Sequence, residues 1–291
     1  MSSNFTSKTE PQHARAALLW FVGAVFLVSA PLYYILLKSK LPVEQSGPFI
    51  ILLMWLPAIV SLLMRLVRRE GFRSIGLGFR RTGPNKSGSL IVVIGAALAF
   101  PLAVAALTYG GAWLSGLVLF HSPQTGVGPL QSLLVDILFA ATAGTLIGIV
   151  MVAGEEIGWR GYMTEKLCQS GIKAPHTVGG LIWAAWHCPL ILSGQYAAGP
   201  SPILSAISFT VLALGLHHLW SWWRLQTGSL WPAIIAHSAW NSIIQHPFDG
   251  HSAGNAATLW LGDSGLLVVT AAAIGVVLIG RRMRRRELTA C

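Results

Sequence analysis

The chain has 291 residues, of which 54% are hydrophobic and 10% charged, and a formal net charge of +10. Soluble domains carry about a quarter charged residues, so a water-dissolved globular surface is excluded. The positive charge lies between and after apolar runs rather than gathered for a nucleic-acid face, which excludes nucleic acid as a partner.

Eight apolar runs follow in chain order, roughly 16–37, 48–67, 89–110, 131–153, 177–196, 203–223, 229–247 and 264–280. Each is close to the ~20 residues that cross a bilayer, so the expected fold is all-α, a polytopic membrane bundle of about eight transmembrane helices. The fifth and seventh runs are short and polar for spans. The first, beginning near Ala16, lacks a small-residue cleavage site and reads as a retained span rather than a signal peptide.

Basic residues give the orientation. Arg65, Arg68, Arg69, Arg73, Arg80, Arg81 and Lys86 follow the second run; Arg281, Arg282, Arg284, Arg285 and Arg286 follow the last. Segments 111–130, 197–202 and 248–263 contain no Lys or Arg, and Lys38 and Lys40 are the exception in the first outer loop. Cytoplasmic loops carry such an excess, so both termini are expected in the cytoplasm, and a bacterial inner membrane is the expected location. The stretch Glu156–Ser170 mixes Trp159, Tyr162, Met163 and Leu167 with charges and reads as a short helix lying at the cytoplasmic interface.

Ionisable groups inside a bilayer are costly and point to function. Three clusters stand out. In Gly154-Glu155-Glu156-Ile157-Gly158-Trp159-Arg160, Glu156 and Arg160 share a helix face and can pair, while Glu155 points about 100° away and is available as a general base. In Trp183-Ala184-Ala185-Trp186-His187-Cys188-Pro189, Trp183 and His187 share a face, and Pro189 is expected to kink or break the helix. In His237-Ser238-Ala239-Trp240-Asn241, an imidazole and an amide four residues apart could together stabilise an oxyanion. His217 and His218 read instead as packed, hydrogen-bonded core histidines. A two-aspartate mechanism fits poorly, since Asp136 is alone within a span and Asp249 and Asp263 lie in or beside an outer loop. Ser193 and Ser238 show no nucleophile pattern.

Glu-Glu-x-x-x-Arg, aromatic-x-x-x-His and His-x-x-x-Asn, in this order on successive membrane segments, resemble the CPBP family of CAAX proteases and bacteriocin-processing enzymes, also called the ABI family. The likeness covers roughly Gly154 to Asn241. It departs at Trp183, where the family motif usually begins with Phe. The resemblance implies an intramembrane endopeptidase similar to the type II CAAX prenyl endopeptidases, with a peptide or lipidated protein as substrate and membrane lipids as surroundings. It implies that Glu155 and His187 activate the attacking water, that Glu156 and Arg160 organise the site, and that His237 and Asn241 bind the oxyanion. The scissile bond is expected near the cytoplasmic membrane face.

The chain then divides into a cytoplasmic segment 1–15, a single transmembrane domain 16–280 with its catalytic core at about 131–247, and a basic tail 281–291. Two mechanisms stay open. Glu155, His187 and His237 form a conceivable His₂Glu set for catalytic zinc, but the chain has no HExxH motif and its widely spaced cysteines make no CxxC site. The alternative is water activation by glutamate without metal. A non-catalytic membrane scaffold or bacteriocin self-immunity protein would use the same polar sites for binding, and a proton-coupled transporter would use them as a relay.

Overall fold

A computed structural model describes residues 6–78, 90–123, 126–254 and 256–284. Nearly every apolar run is a helix. These are α1 (Thr6–Ser39), α2 (Gly47–Arg68), α3 (Leu90–Leu114), α4 (Pro129–Gln169), α5 (Pro175–Leu192), α6 (Pro202–Thr227), α7 (Trp231–Ile243) and α8 (Leu266–Arg284). The one small sheet pairs Leu119–Phe120 (β1) with Ser252–Ala253 (β2), antiparallel, among the described residues. The protein is an all-α polytopic bundle.

All eight expected spans coincide with a helix, but they are not equally apolar. The main parts of α1, α2, α3, α4 and α6 are long and apolar enough to cross a membrane. α5 and α7 are shorter and carry the polar motifs. Most of α7 is buried inside the protein, so its polarity is not presented to lipid.

Local chemistry sets the helix limits. Pro stands in the first turn of α2, α4, α5, α6 and α7, where its missing N–H is not needed. Ser201 caps α6 by accepting from Leu204 N at 3.4 Å, and Gly228, at φ 67°, ends it in the left-handed region. α5 runs through Pro189 to Leu192 rather than breaking there.

The loops sort to two ends. At one end, Val43 N donates to Gln195 O at 3.0 Å, β1 pairs with β2, and Ser264 Oγ donates to Ala197 O at 2.7 Å. At the other, Arg15 Nε donates to Ser170 O at 2.8 Å, Arg224 Nη2 to Ser74 O at 2.7 Å, and Leu230 N to Gly76 O at 2.8 Å. Arg65, Arg68, Arg69, Arg73, Lys173 and Arg224 gather at this second, basic end. Arg80, Arg81, Lys86, Arg285 and Arg286 lie outside the described residues.

The structure corrects the reading of Glu156–Ser170. It is no separate helix on a membrane surface. α4 continues through it, passing through π-helical segments at Ala140–Gly144 and Trp159–Met163. Trp159, Tyr162, Met163 and Leu167 are buried, with Phe21 of α1 against Trp159 and Tyr162 at ring distances of 5.8 and 5.0 Å. The apolar side chains had a protein partner, α1, that composition could not reveal.

Candidate active site

Glu156 and Arg160 pair across one turn of α4, with Nη1 donating to Oε1 at 2.7 Å, and neither is exposed. The guanidinium lies between two indoles, 4.2 Å from the Trp183 ring and 4.9 Å from Trp220. Such desolvated cation–π contacts contribute about 2 kcal/mol or more. His237 Nδ1 also donates to Glu156 Oε1, at 2.8 Å, and its ring stacks on Trp220 at 4.9 Å. One carboxylate oxygen therefore fixes both the arginine and the histidine. Glu156 Oε2 and Arg160 Nε and Nη2 have no hydrogen-bond partner among the described residues.

Glu155 takes a different environment one residue earlier. Its Oε2 accepts from Trp183 Nε1 at 2.9 Å, and His187 Nε2 stands 4.0 Å from the same oxygen. His187 Nδ1 contacts the Trp183 carbonyl at 2.8 Å, and because a carbonyl only accepts, Nδ1 carries the proton. Nε2 is left with a lone pair facing Glu155. A water held by hydrogen bonds of ~2.8 Å to both atoms would subtend an angle of roughly 90° at its oxygen. The pair can thus share one water without rearrangement.

Glu155, His187, His237 and Asn241 line a common cavity of about 830 Å³, whereas Glu156 and Arg160 stand behind its wall. The structure brings all six expected residues into two connected layers. Four face the cavity and two fix the layer behind. Asn241 lies one turn beyond His237 on α7, so the His-x-x-x-Asn spacing directs both toward the same space.

Among the described residues, no three His, Cys, Asp or Glu side chains group to hold a metal ion. His237 uses Nδ1 on Glu156, and Glu155 is engaged by Trp183. No step is derived through a metal.

Three features escaped the sequence. Asp263, assigned to a loop edge, is buried and accepts from Tyr196 Oη at 2.9 Å, Trp240 Nε1 at 2.8 Å and Gln245 Nε2 at 2.7 Å. It ties the far end of α7 to the loop before α8. Asp136 lines the cavity and lies 3.7 Å from His251 Nε2. Tyr33 also lines it, with its hydroxyl donating to the Trp186 carbonyl. The reading of His217 needs correction: it is buried as expected, but neither ring nitrogen finds a hydrogen-bond partner among the described residues, since Gly179 packs directly against the ring. His218 does bond, through Nδ1 to Leu214 O at 2.7 Å.

Residues 134–243 match the family model described as type II CAAX prenyl endopeptidase Rce1-like. The matched segment contains all six site residues and ends two residues past Asn241. This segment is similar to the CAAX prenyl endopeptidases. The match covers a little over a third of the chain, from within α4 to the end of α7, so the matched segment is the part of the bundle that builds both layers of the site. No curated protein sequence matches the chain.

Proposed function

We propose that this protein hydrolyses a peptide bond inside the membrane, with Glu155 and His187 as the water-activating pair. The observation that carries this reading is the 4.0 Å separation of Glu155 Oε2 and His187 Nε2 on the wall of a substrate-sized cavity. A water between them attacks the scissile carbonyl carbon and gives its proton to one of the pair. His237 and Asn241 also line the cavity, and in this reading His237 Nε2 and the Asn241 amide receive the developing oxyanion; His237 donates there when both ring nitrogens carry protons. The C–N bond then breaks, and the proton held by the base passes to the leaving amine. Glu156 and Arg160 set the orientation of His237 and do not touch the substrate.

Because α4 runs on to Gln169, Glu155 lies 14 residues, or ~21 Å, from that end, and His187 lies 12 residues, or ~18 Å, from the start of α5. Both side chains of the pair are largely buried in the bundle.

The test is cleavage by the detergent-purified protein of a farnesylated CAAX peptide and its unprenylated twin. Wild type, Glu155→Gln and a chelator-treated sample are run together. The reading expects cleavage by wild type, loss in Glu155→Gln, and persistence with chelator. Equal rates in wild type and Glu155→Gln would overturn it, and binding that survives the substitution without any cleavage would favour a scaffold.

A further inference from the structure

The loop before α8 is pinned on both sides of Asp263. Gly262 N donates to Tyr109 Oη at 2.9 Å, and Ser264 Oγ donates to Ala197 O at 2.7 Å. Gly262 turns the chain at φ 82°, in the left-handed region that glycine enters freely. The carboxylate held between these anchors is 5% exposed and takes three neutral donors. Oδ1 accepts from Trp240, and Oδ2 accepts from both Tyr196 and Gln245.

Each donor stands beside a residue of the site. Trp240 immediately precedes Asn241 on α7. Gln245 follows Asn241 by four residues, in the π-helical segment Ile244–Phe248 that continues α7. One carboxylate therefore clamps the helix before and after Asn241, across the change from α to π winding. Tyr196 comes from the loop after α5, and its ring lies 5.7 Å from that of His187, tilted by 33°. Tyr196 and Gln245 line the large cavity, whereas Asp263 does not. Asp263 instead lines a second cavity with His187, His237 and Asn241, and its volume of about 10 Å³ has room for one water but not for a substrate side chain.

We propose that Asp263 is a positioning residue of the site, one that acts without touching the substrate. Through Tyr196 it braces the His187 ring, and through Trp240 and Gln245 it fixes the turn of α7 that presents Asn241. An ionised carboxylate accepts all three bonds, whereas an amide in its place has one acceptor oxygen and turns an NH₂ toward the remaining donors. This role rests on the protease reading and carries the site past residue 243, where the family match ends, into the loop before α8.

Steady-state kinetics on a cleavable peptide test the role, with rates counted per folded, monodisperse protein. Asp263→Asn is expected to lower kcat about tenfold or more, with KM within about twofold of wild type. Tyr196→Phe keeps the ring against His187 and removes one of the three bonds, and it should lower kcat roughly threefold. In the Asn241→Ala background, Asp263→Asn should cost less than it does alone, because both act through the same turn of α7. An unchanged kcat in Asp263→Asn would overturn the proposal, as would one in Tyr196→Phe where Asp263→Asn does not fold. A loss carried by KM alone, or effects that simply multiply in the double variant, would overturn it too. Wild-type cleavage with unaffected variants would remove this role alone. Absent cleavage by wild type would remove the protease reading and this role together.

Discussion

Glu155 and His187 are held at 4.0 Å by a single intermediary, Trp183, which donates its indole N–H to the carboxylate and accepts from His187 Nδ1 through its carbonyl. The indole N–H is the part that the phenylalanine usual at this place in the family motif would lack. Trp183→Phe keeps the ring contact and the backbone carbonyl but removes the donor. A hydrogen bond to a charged group contributes about 1.5–3 kcal/mol, so kcat is expected to fall roughly ten- to a hundredfold with KM little changed. Steady-state kinetics on a cleavable peptide measure the split, and an unchanged kcat would remove Trp183 from the positioning role.

Glu156 serves structure and site together. Glu156→Ala would strip the partner from a buried guanidinium and from His237, and breaking a buried pair this way costs about 3–5 kcal/mol. Thermal unfolding in detergent should show a clear loss of stability. Glu155→Gln, which keeps the Trp183 contact through its amide oxygen, should unfold close to wild type while losing activity.

Asn241→Ala probes the oxyanion role. Loss of one such donor typically lowers kcat by about 10²–10³-fold. Asn241 is half-buried on a helix whose packing rests on its neighbours Trp240 and Ile243, so the fold should persist. Single-turnover rates with folded, monodisperse variant would check this; a loss in KM alone would make Asn241 a binding residue instead.

Acid should loosen the basic end first. Burial alone would raise the Glu70 carboxyl, but hydrogen bonds and charge from Lys166 and Arg68, at 3.0 and 2.9 Å, hold it below its usual 4.5. The folded state therefore binds fewer protons than the unfolded one through this window. The stabilisation is fully present above 4.5 and is lost as pH falls through the depressed folded value. Melting curves of wild type and Glu70→Gln should differ at neutral pH and converge in acid. A constant difference down to the most acidic point would exclude this group as the cause.

Much of the site was legible because helical spacing is local. Glu156 with Arg160, Trp183 with His187, and His237 with Asn241 share faces by arithmetic alone, and the structure places each pair as that arithmetic requires. Their convergence was legible through the ordered motif set. What spacing could not give was which side chains oppose each other across helices. Asp263 is the loop residue it looked like, but its burial was hidden because its three donors, Tyr196, Trp240 and Gln245, come from distant positions. His217 looked hydrogen-bonded because burial normally demands it, and no local signal shows that Gly179 fills the space where a partner would stand. The extent of α4 was misjudged because Arg160, Glu165 and Lys166 lower hydropathy as a loop would, yet Arg160 and Lys166 are buried against partners.

The two π turns in α4 also set its rotational phase. Each inserts one residue into the helical count and rotates everything beyond it by about 100° relative to an uninterrupted α-helix. The second begins four residues after Glu155. It lets one continuous rod aim Glu155 into the cavity and then turn Trp159, Tyr162 and Leu167 onto Phe21 and the rest of the core. Without that step, the residues past the site would come round out of phase with the α1 surface they now cover, and the catalytic helix would lose the footing that keeps its carboxylates still.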